Sequence, residues 1–160
     1  MTRWLTFVLA AVLGAGALAG SPGAVRAGAE DWNDAKIQWR TYEEGLQEAK
    51  KSGKPVCLIF YTTWCPHCAN YSRVFQNDEI VELAKKFVMV RVDADKRRDL
   101  SDQYKPDGAY IPRTFFLSPS GELDPSLDAG RSQYKFFYDE HNPAHIAKAM
   151  KLAADKYRQK

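Results

Sequence analysis

Runs of apolar residues alternate with polar, helix-like stretches along this chain. Residues 55–61 (PVCLIFY) and 87–92 (FVMVRV) are almost continuously apolar. A strand that is apolar on both faces is typical of the middle of a sheet covered by helices on both sides. The pattern therefore predicts two central strands, with a short strand before them at 37–39 and another after them at 113–117.

Helical spacing and capping signals fill the intervals between these strands. Thr41 and Glu44 form a capping box, which predicts a helix over residues 42–52 that ends at Gly53. Asn142 and Pro143 carry the corresponding signals for the last helix. Further helices are predicted from Cys65 to about Phe75, from Asn77 or Asp78 to about Phe87, and near 99–104.

The order of these elements predicts the fold class. A turn at 118–121 (SPSG) should return the chain as a short strand near 122–124, antiparallel to residues 113–117. Strands that are joined through helices should instead be parallel. We therefore expect an α/β fold of three layers, in which helices flank a central mixed β-sheet.

A different pattern precedes these elements. A short basic start is followed by an apolar run from Trp4 to Leu18 and then by small residues. This is the layout of a secretory signal peptide, so we assign residues 1–27 to a signal that is cleaved near Ala27 or Ala29. The alternative is an uncleaved membrane anchor, although about 15 apolar residues fall short of the roughly 20 that a span needs.

Cleavage of the predicted signal peptide sets the bounds of the mature protein and lowers its net charge. Residues 28–40 become an N-terminal lead-in that is loose over residues 28–36, and residues 41–160 form one domain, long enough to bury a core. Removal of Arg3 and Arg26 takes the basic count from 23 to 21 against 20 acidic residues, so a net charge of about +1 remains. The charge therefore gives no indication of nucleic-acid binding, and we expect a periplasmic or secreted protein.

The cysteines carry the chemistry. Cys65 and Cys68 flank Pro66-His67 where a central strand passes into a helix. The free amides and the dipole of that helix start should stabilise an exposed thiolate at Cys65, Pro66 suits the first turn, and His67 adds a donor or a positive charge. Cys68 lies one turn further on, where a more sheltered thiol can resolve a mixed disulfide.

Other roles for the two cysteines are open but weaker. Zinc usually takes four protein ligands, and the chain has no second pair of ligands at suitable spacing. Covalent haem would need a histidine at position 69, which is Ala69. A permanent disulfide would enclose two residues and constrain the unfolded chain little. Cys57, inside the strand, is interpreted as a small buried apolar residue, and His141 and His145 as solvated.

Ile111-Pro112 forms the second part of the candidate site. It stands at the head of the strand 113–117, after a turn that contains glycine. A proline that heads an interior strand is a candidate for a cis peptide bond, which would leave the backbone of Ile111 free to pair with a substrate strand. The alternative is a trans proline that starts an edge strand.

Together these residues resemble the thioredoxin superfamily. The similarity extends to thioredoxin-domain-containing protein 12 and the anterior-gradient-like proteins, through residues 106–113 (PDGAYIPR), 118–121 and 134–138 (YKFFY). The resemblance implies a thioredoxin-like fold, with Cys65 as nucleophile and Cys68 as resolving thiol. It also implies that Trp64, Ile111 and a cis-Pro112 line the substrate site.

Three features depart from that pattern. The chain ends without a Lys-Asp-Glu-Leu-like signal, so we expect a bacterial exported relative. Pro66-His67 resembles the dipeptide of the periplasmic disulfide oxidase, which favours an oxidising disulfide. Ile59 stands six positions before Cys65, where thioredoxins carry a buried acid, and this makes fast reductive turnover harder.

The expected function is exported thiol–disulfide exchange with protein substrates, in the oxidase or isomerase direction. A periplasmic reductase fed by a membrane electron carrier, for disulfide repair or cytochrome maturation, is a second hypothesis. A thioredoxin-like adaptor or chaperone with dispensable cysteines is a third. We expect a monomer whose partners are protein thiols or disulfides and one redox protein, with no cofactor, metal, nucleic acid or membrane span after signal cleavage.

Overall fold

A computed structural model describes residues 31–158, so the predicted signal peptide lies outside the described residues. Within that range no helix has the length and apolar character needed to cross a membrane. The regular elements are β1 (Trp39–Arg40), α1 (Tyr42–Ser52), β2 (Val56–Tyr61), α2 (Pro66–Val74), α3 (Asp78–Ala84), β3 (Val88–Asp93), α4 (Arg98–Gln103), β4 (Arg113–Leu117) and α5 (Pro143–Lys156).

The four strands form one mixed sheet in the order β1-β3-β2-β4. Strand β3 pairs in parallel with β1 and β2, whereas β4 pairs antiparallel with β2. One face packs against α1 and α4 through Leu58 and Phe60, and the other packs against α2, α3 and α5 through Cys57 and Ile59. The predicted α/β fold of three layers is confirmed.

The capping signals read from the sequence are present at the helix ends. The Glu44 amide donates to Thr41 Oγ1 at 3.4 Å, and the Thr41 amide donates to the Glu44 carboxylate at 3.3 Å. Gly53 ends α1 with a φ of 69°, a conformation that glycine adopts without steric cost. These contacts set the first helix at its predicted bounds.

The return strand predicted near 122–124 is reduced to one antiparallel bridge between Leu117 and Leu123. Pro125 follows immediately and has no amide to donate to a ladder. The Asp124 carboxylate also accepts from the amide and the hydroxyl of Ser126, which turns the chain away. Pairing therefore stops after one bridge.

The predicted lead-in is not loose where the structure describes it. Trp32 is only 1% exposed and packs its ring against Tyr71 and Phe75 of the main core. The Asn33 side chain donates to the Phe75 carbonyl at 2.8 Å. Burial of a large aromatic side chain fixes this segment, so the packed domain begins before residue 41.

Residues 125–141 contain no regular helix or strand, yet they lie along the outer side of β4. The Thr114 amide donates to the Phe136 carbonyl at 2.9 Å. Phe136 and Tyr138 are buried, whereas Tyr134 is 54% exposed. Strand β4 is thus the edge of the described sheet and not the interior strand that the sequence suggests. The place beside it, where a further strand would pair, is taken by this irregular segment.

Candidate active site

Cys65 is the N-cap of α2, just beyond the end of β2. Its sulfur accepts a hydrogen bond from the Cys68 amide at 3.4 Å. An amide and the positive end of the helix dipole both favour negative charge on this sulfur. Cys65 is only 4% exposed, so the expected exposed thiol is wrong: the side chain packs into the core between the helix start and the loop that carries Ile111.

Cys68 lies one turn further along α2 and is fully buried. Neither cysteine forms a disulfide in this structure. The two sulfur-bearing residues are therefore brought together at one helix start, with Cys65 on the side of the neighbouring loop and Cys68 towards the core. This is the order that an attacking and a resolving thiol require.

The layer beneath the two cysteines contains Ile59 and Cys57, both with no exposed surface. Burial raises the pKa of the Cys57 thiol, so this group stays protonated at neutral pH. Tyr71 contributes a hydroxyl to the same layer, hydrogen-bonded to Thr114 Oγ1 at 2.8 Å, and burial raises its pKa well above the usual value. The position of the thioredoxin acid is apolar, as the sequence indicates.

Ile111-Pro112 lies directly opposite Cys65. The Ile111 carbonyl is 3.9 Å from the Cys65 sulfur, which donates to it, and the Ile111–Pro112 peptide bond is cis. Pro112 is buried, whereas Ile111 is partly exposed. An extended chain that paired with the backbone of Ile111 would pass over the Cys65 sulfur.

Arg113 fixes the loop that carries this proline. Its side chain is fully buried, and its guanidinium donates to the Gly108 carbonyl at 2.9 Å and to the Ser101 hydroxyl at 2.7 Å. It also lies over the Phe60 ring at 5.2 Å. Burial lowers the pKa of Arg113, although not enough to remove its charge near neutral pH.

Trp64 forms an exposed wall beside Cys65. The side chain is 69% exposed, and its indole nitrogen donates to the Asp95 carboxylate at 2.7 Å. Asp95 lies in the turn after β3, where its own amide donates to the Asp93 carboxylate. The ring of Trp64 is thus oriented by Asp95, which lies in the connection between β3 and α4.

The imidazole of His67 contacts a carboxylate, although the side chain remains largely exposed. Its Nδ1 lies 2.9 Å from the Glu140 carboxylate, and its ring packs edge-on against Phe137. The amide of the Asn70 side chain donates to the same carboxylate at 3.1 Å. The segment before α5 therefore closes over the first turn of α2.

The sequence did not reveal Glu140 or Asp95 as site residues, nor that Arg113 holds the loop before β4 in place. Each acts on a site residue from a distant part of the chain, and no local pattern marks such a pair. His145 was also expected to be solvated, but its ring accepts from the Asp139 amide at 3.0 Å and lies 2.9 Å from the Ala129 carbonyl. Among residues 31–158, no three His, Cys, Asp or Glu side chains are grouped as metal ligands.

Known proteins share this arrangement of elements. The sequence profile of the thioredoxin-like family matches residues 37–119. Human anterior gradient protein 2 homolog is 33% identical over 124 residues, which are 76% of this chain and 69% of that protein. The solution structure of a Thermus thermophilus thioredoxin has a TM-score of 0.61 at 23% identity, covering 77% of this chain and 91% of the other. A structure titled DsbH Oxidoreductase has a TM-score of 0.52 at 23% identity, covering 87% and 96%.

Proposed function

The chain belongs to the thioredoxin-like family, and we propose that it is an exported thiol–disulfide oxidoreductase acting on protein substrates through Cys65 and Cys68. One observation carries the proposal: the Cys65 sulfur accepts from the Cys68 amide at the start of α2, opposite the Ile111 carbonyl. A permanent structural thiol has no need of a helix start or of a neighbouring backbone that can receive a substrate. The match to a structure named as an oxidoreductase agrees with this chemistry.

In the oxidising direction, a substrate thiolate attacks Cys65 of the Cys65–Cys68 disulfide. The bond between the two protein sulfurs breaks, Cys68 leaves as a thiolate and takes up a proton, and a mixed disulfide joins the substrate to Cys65. A second substrate thiolate then attacks the substrate sulfur and releases Cys65. The substrate loses two electrons and two protons, and the protein gains them.

In the reducing direction, the same steps run backwards. The Cys65 thiolate attacks a substrate disulfide, and Cys68 resolves the mixed disulfide after losing its proton. Because Ile59 supplies no acid or base in the layer below, that proton passes to water or to another group, which slows the step in which Cys68 resolves the mixed disulfide. The Pro66-His67 dipeptide, and not Ile59, favours the oxidase or isomerase direction, and electrons pass to a separate redox protein.

The backbone of Ile111 gives the substrate its place. A substrate segment in extended conformation would pair with this backbone as an added strand, so that main-chain hydrogen bonds supply affinity without demanding one sequence. Trp64 would then cover the substrate residue that flanks the reacting sulfur. Arg113 keeps the loop in position from below.

The redox equilibrium of the Cys65/Cys68 pair with glutathione tests the proposal. A potential of about −120 to −180 mV would support an oxidase or isomerase, whereas one near or below about −270 mV would support the reductase alternative. One observation favours the reductase alternative. The Glu140 carboxylate lies against His67, and its negative charge opposes the positive charge that would make the disulfide oxidising. If Cys65→Ser left substrate binding and the cellular phenotype intact, the enzyme proposal would fail in favour of an adaptor.

The proposal that the protein is exported rests on residues 1–27 and needs a test separate from that of the redox chemistry. We expect the mature protein to begin after Ala27 or Ala29 and to be found outside the cytoplasm. N-terminal sequencing of the protein from fractionated cells measures both. An intact N-terminus in the membrane fraction would instead support the anchor.

A further inference from the structure

Glu140 gathers three polar side chains around one carboxylate. Its two oxygens lie 3.1 and 2.9 Å from His67 Nδ1. Oε1 also accepts from the Asn70 amide at 3.1 Å and lies 3.2 Å from His141 Nε2. The carboxylate side chain is 10% exposed, while the His67 side chain is 61% exposed.

The burial of each charged group determines how strongly its charge acts at the active site. Because Glu140 is sheltered, its charge is screened less by solvent than that of an exposed acid. His141, with 73% of its side chain exposed, contributes a weaker and better screened charge. Arg131 faces this cluster only indirectly, across the Phe137 ring at 5.0 Å.

Charge at His67 matters because His67 lies between the two active-site cysteines. A protonated imidazole at this place would favour the Cys65 thiolate, and so the reduced form of the pair. In this chain the Nδ1 atom of the imidazole lies 2.9 Å from the Glu140 carboxylate. Two opposite charges this close together act on a nearby sulfur in opposite senses, so each weakens the effect of the other.

We infer that Glu140 is a positioning residue that offsets the charge of His67, so that the Cys65–Cys68 disulfide is less oxidising than its Pro-His dipeptide implies. The inference deepens the proposed function and rests on it. Glu140 holds the Nδ1 side of the imidazole towards itself and brings a negative charge to the helix start. It thereby sets where between oxidase and reductase this protein acts.

Three variants test the inference by redox equilibrium with glutathione at about pH 6, where an ordinary imidazole is mostly protonated. Glu140→Gln keeps the shape and removes the negative charge, so we expect the equilibrium to shift about threefold or more towards the reduced protein. His67→Gln removes the positive charge, so we expect a shift of similar size towards the disulfide. The double variant removes both charges and should return close to the wild type.

Glu82→Gln is the matched control, because it removes the same charge from the exposed pair with Lys85 on α3. We expect no shift from it. A Glu140→Gln equilibrium equal to the wild type, or single variants that shift in the same direction, would overturn the inference and leave the proposed function standing. A wild-type pair that does not exchange with glutathione would overturn both.

Discussion

The thiol of Cys65 points at the carbonyl oxygen of Ile111, which is 3.9 Å away although 46 positions separate the two residues. The contact places the candidate nucleophile between the start of α2 and the loop before β4. A substrate segment that paired with the backbone of Ile111 would lie next to this sulfur.

The first prediction concerns the two thiols. Cys68→Ser should accumulate a mixed disulfide with a peptide that contains a disulfide, because Cys65 can attack but the resolving thiol is missing. Cys65→Ser should form none. Electrophoresis without reductant, followed by mass spectrometry of the complex, identifies the linked cysteine. Cys57→Ala is the control and should behave as the wild type; a complex through Cys68 in the Cys65→Ser protein would reverse the assignment.

The second prediction concerns Cys57. Burial raises its pKa and leaves it no exposed surface, so the group remains a protonated and inaccessible thiol. Iodoacetamide at about pH 8 should modify Cys65 in the folded protein and spare Cys57. Both should react once guanidinium unfolds the chain. Peptide mass spectrometry measures the two rates, and equal labelling in the folded protein would contradict the buried assignment.

The third prediction concerns Asp124 and acid stability. Burial alone would raise its pKa, but hydrogen bonds from Lys156, Ser126 and Tyr157 outweigh burial and lower the pKa to about 2. The carboxylate therefore stabilises the fold fully above about pH 4, and this contribution is lost as the pH falls towards about 2. Asp124→Asn should cost about 2 kcal/mol of unfolding free energy at neutral pH and almost nothing near pH 2.

Urea unfolding across that pH range measures the effect of Asp124→Asn. Asp102→Asn provides the comparison, since Asp102 is an exposed carboxylate paired with Lys105 and should show little change at any pH. A loss of stability for Asp124→Asn that is the same at pH 7 and near pH 2 would show that packing, rather than the charge, is responsible.

The fourth prediction concerns the close approach of α1 to β3. A Cβ on Gly45 would overlap the Cγ2 atom of Val90, which is fully buried. Alanine usually stabilises a helix by about 1 kcal/mol relative to glycine, but overpacking of a core costs about 1–3 kcal/mol. Gly45→Ala should therefore lower the thermal midpoint. In a Val90→Ala background the same change should become neutral or stabilising, and a penalty that persists there would contradict the overlap.

The fifth prediction concerns Trp64. This ring is exposed beside Cys65 and should contribute contact area to a protein substrate but little to a small thiol. Trp64→Ala should slow exchange with a protein disulfide by about fivefold or more while leaving exchange with glutathione nearly unchanged. Asp95→Asn keeps the ring and weakens its anchor, so a smaller effect is expected. Equal losses with both substrates would show that Trp64 acts on the sulfur itself.

Local patterns in the sequence determined the elements and indicated the candidate reactive pair, Cys65 and Cys68. The capping box at Thr41 and Glu44, the glycine that ends α1 and the apolar run of β2 each act within a few residues, so they can be read directly. The strand–helix junction at Cys65 is also local. The parallel pairing of β3 with β1 and β2 followed because helices join those strands. The antiparallel pairing of β4 with β2 did not follow, since a helix also precedes β4.

Tertiary structure alone decided how the reactive pair is surrounded. Glu140 reaches His67 across 73 positions, and Asp95 reaches Trp64 across 31. Cys65 is buried and β4 lies at the edge of the described sheet, both against expectation. Spacing along a chain reports the period of one helix or strand, whereas these contacts arise when separate elements pack. The physical reason is that packing depends on the relative placement of all layers at once, so no short segment encodes it.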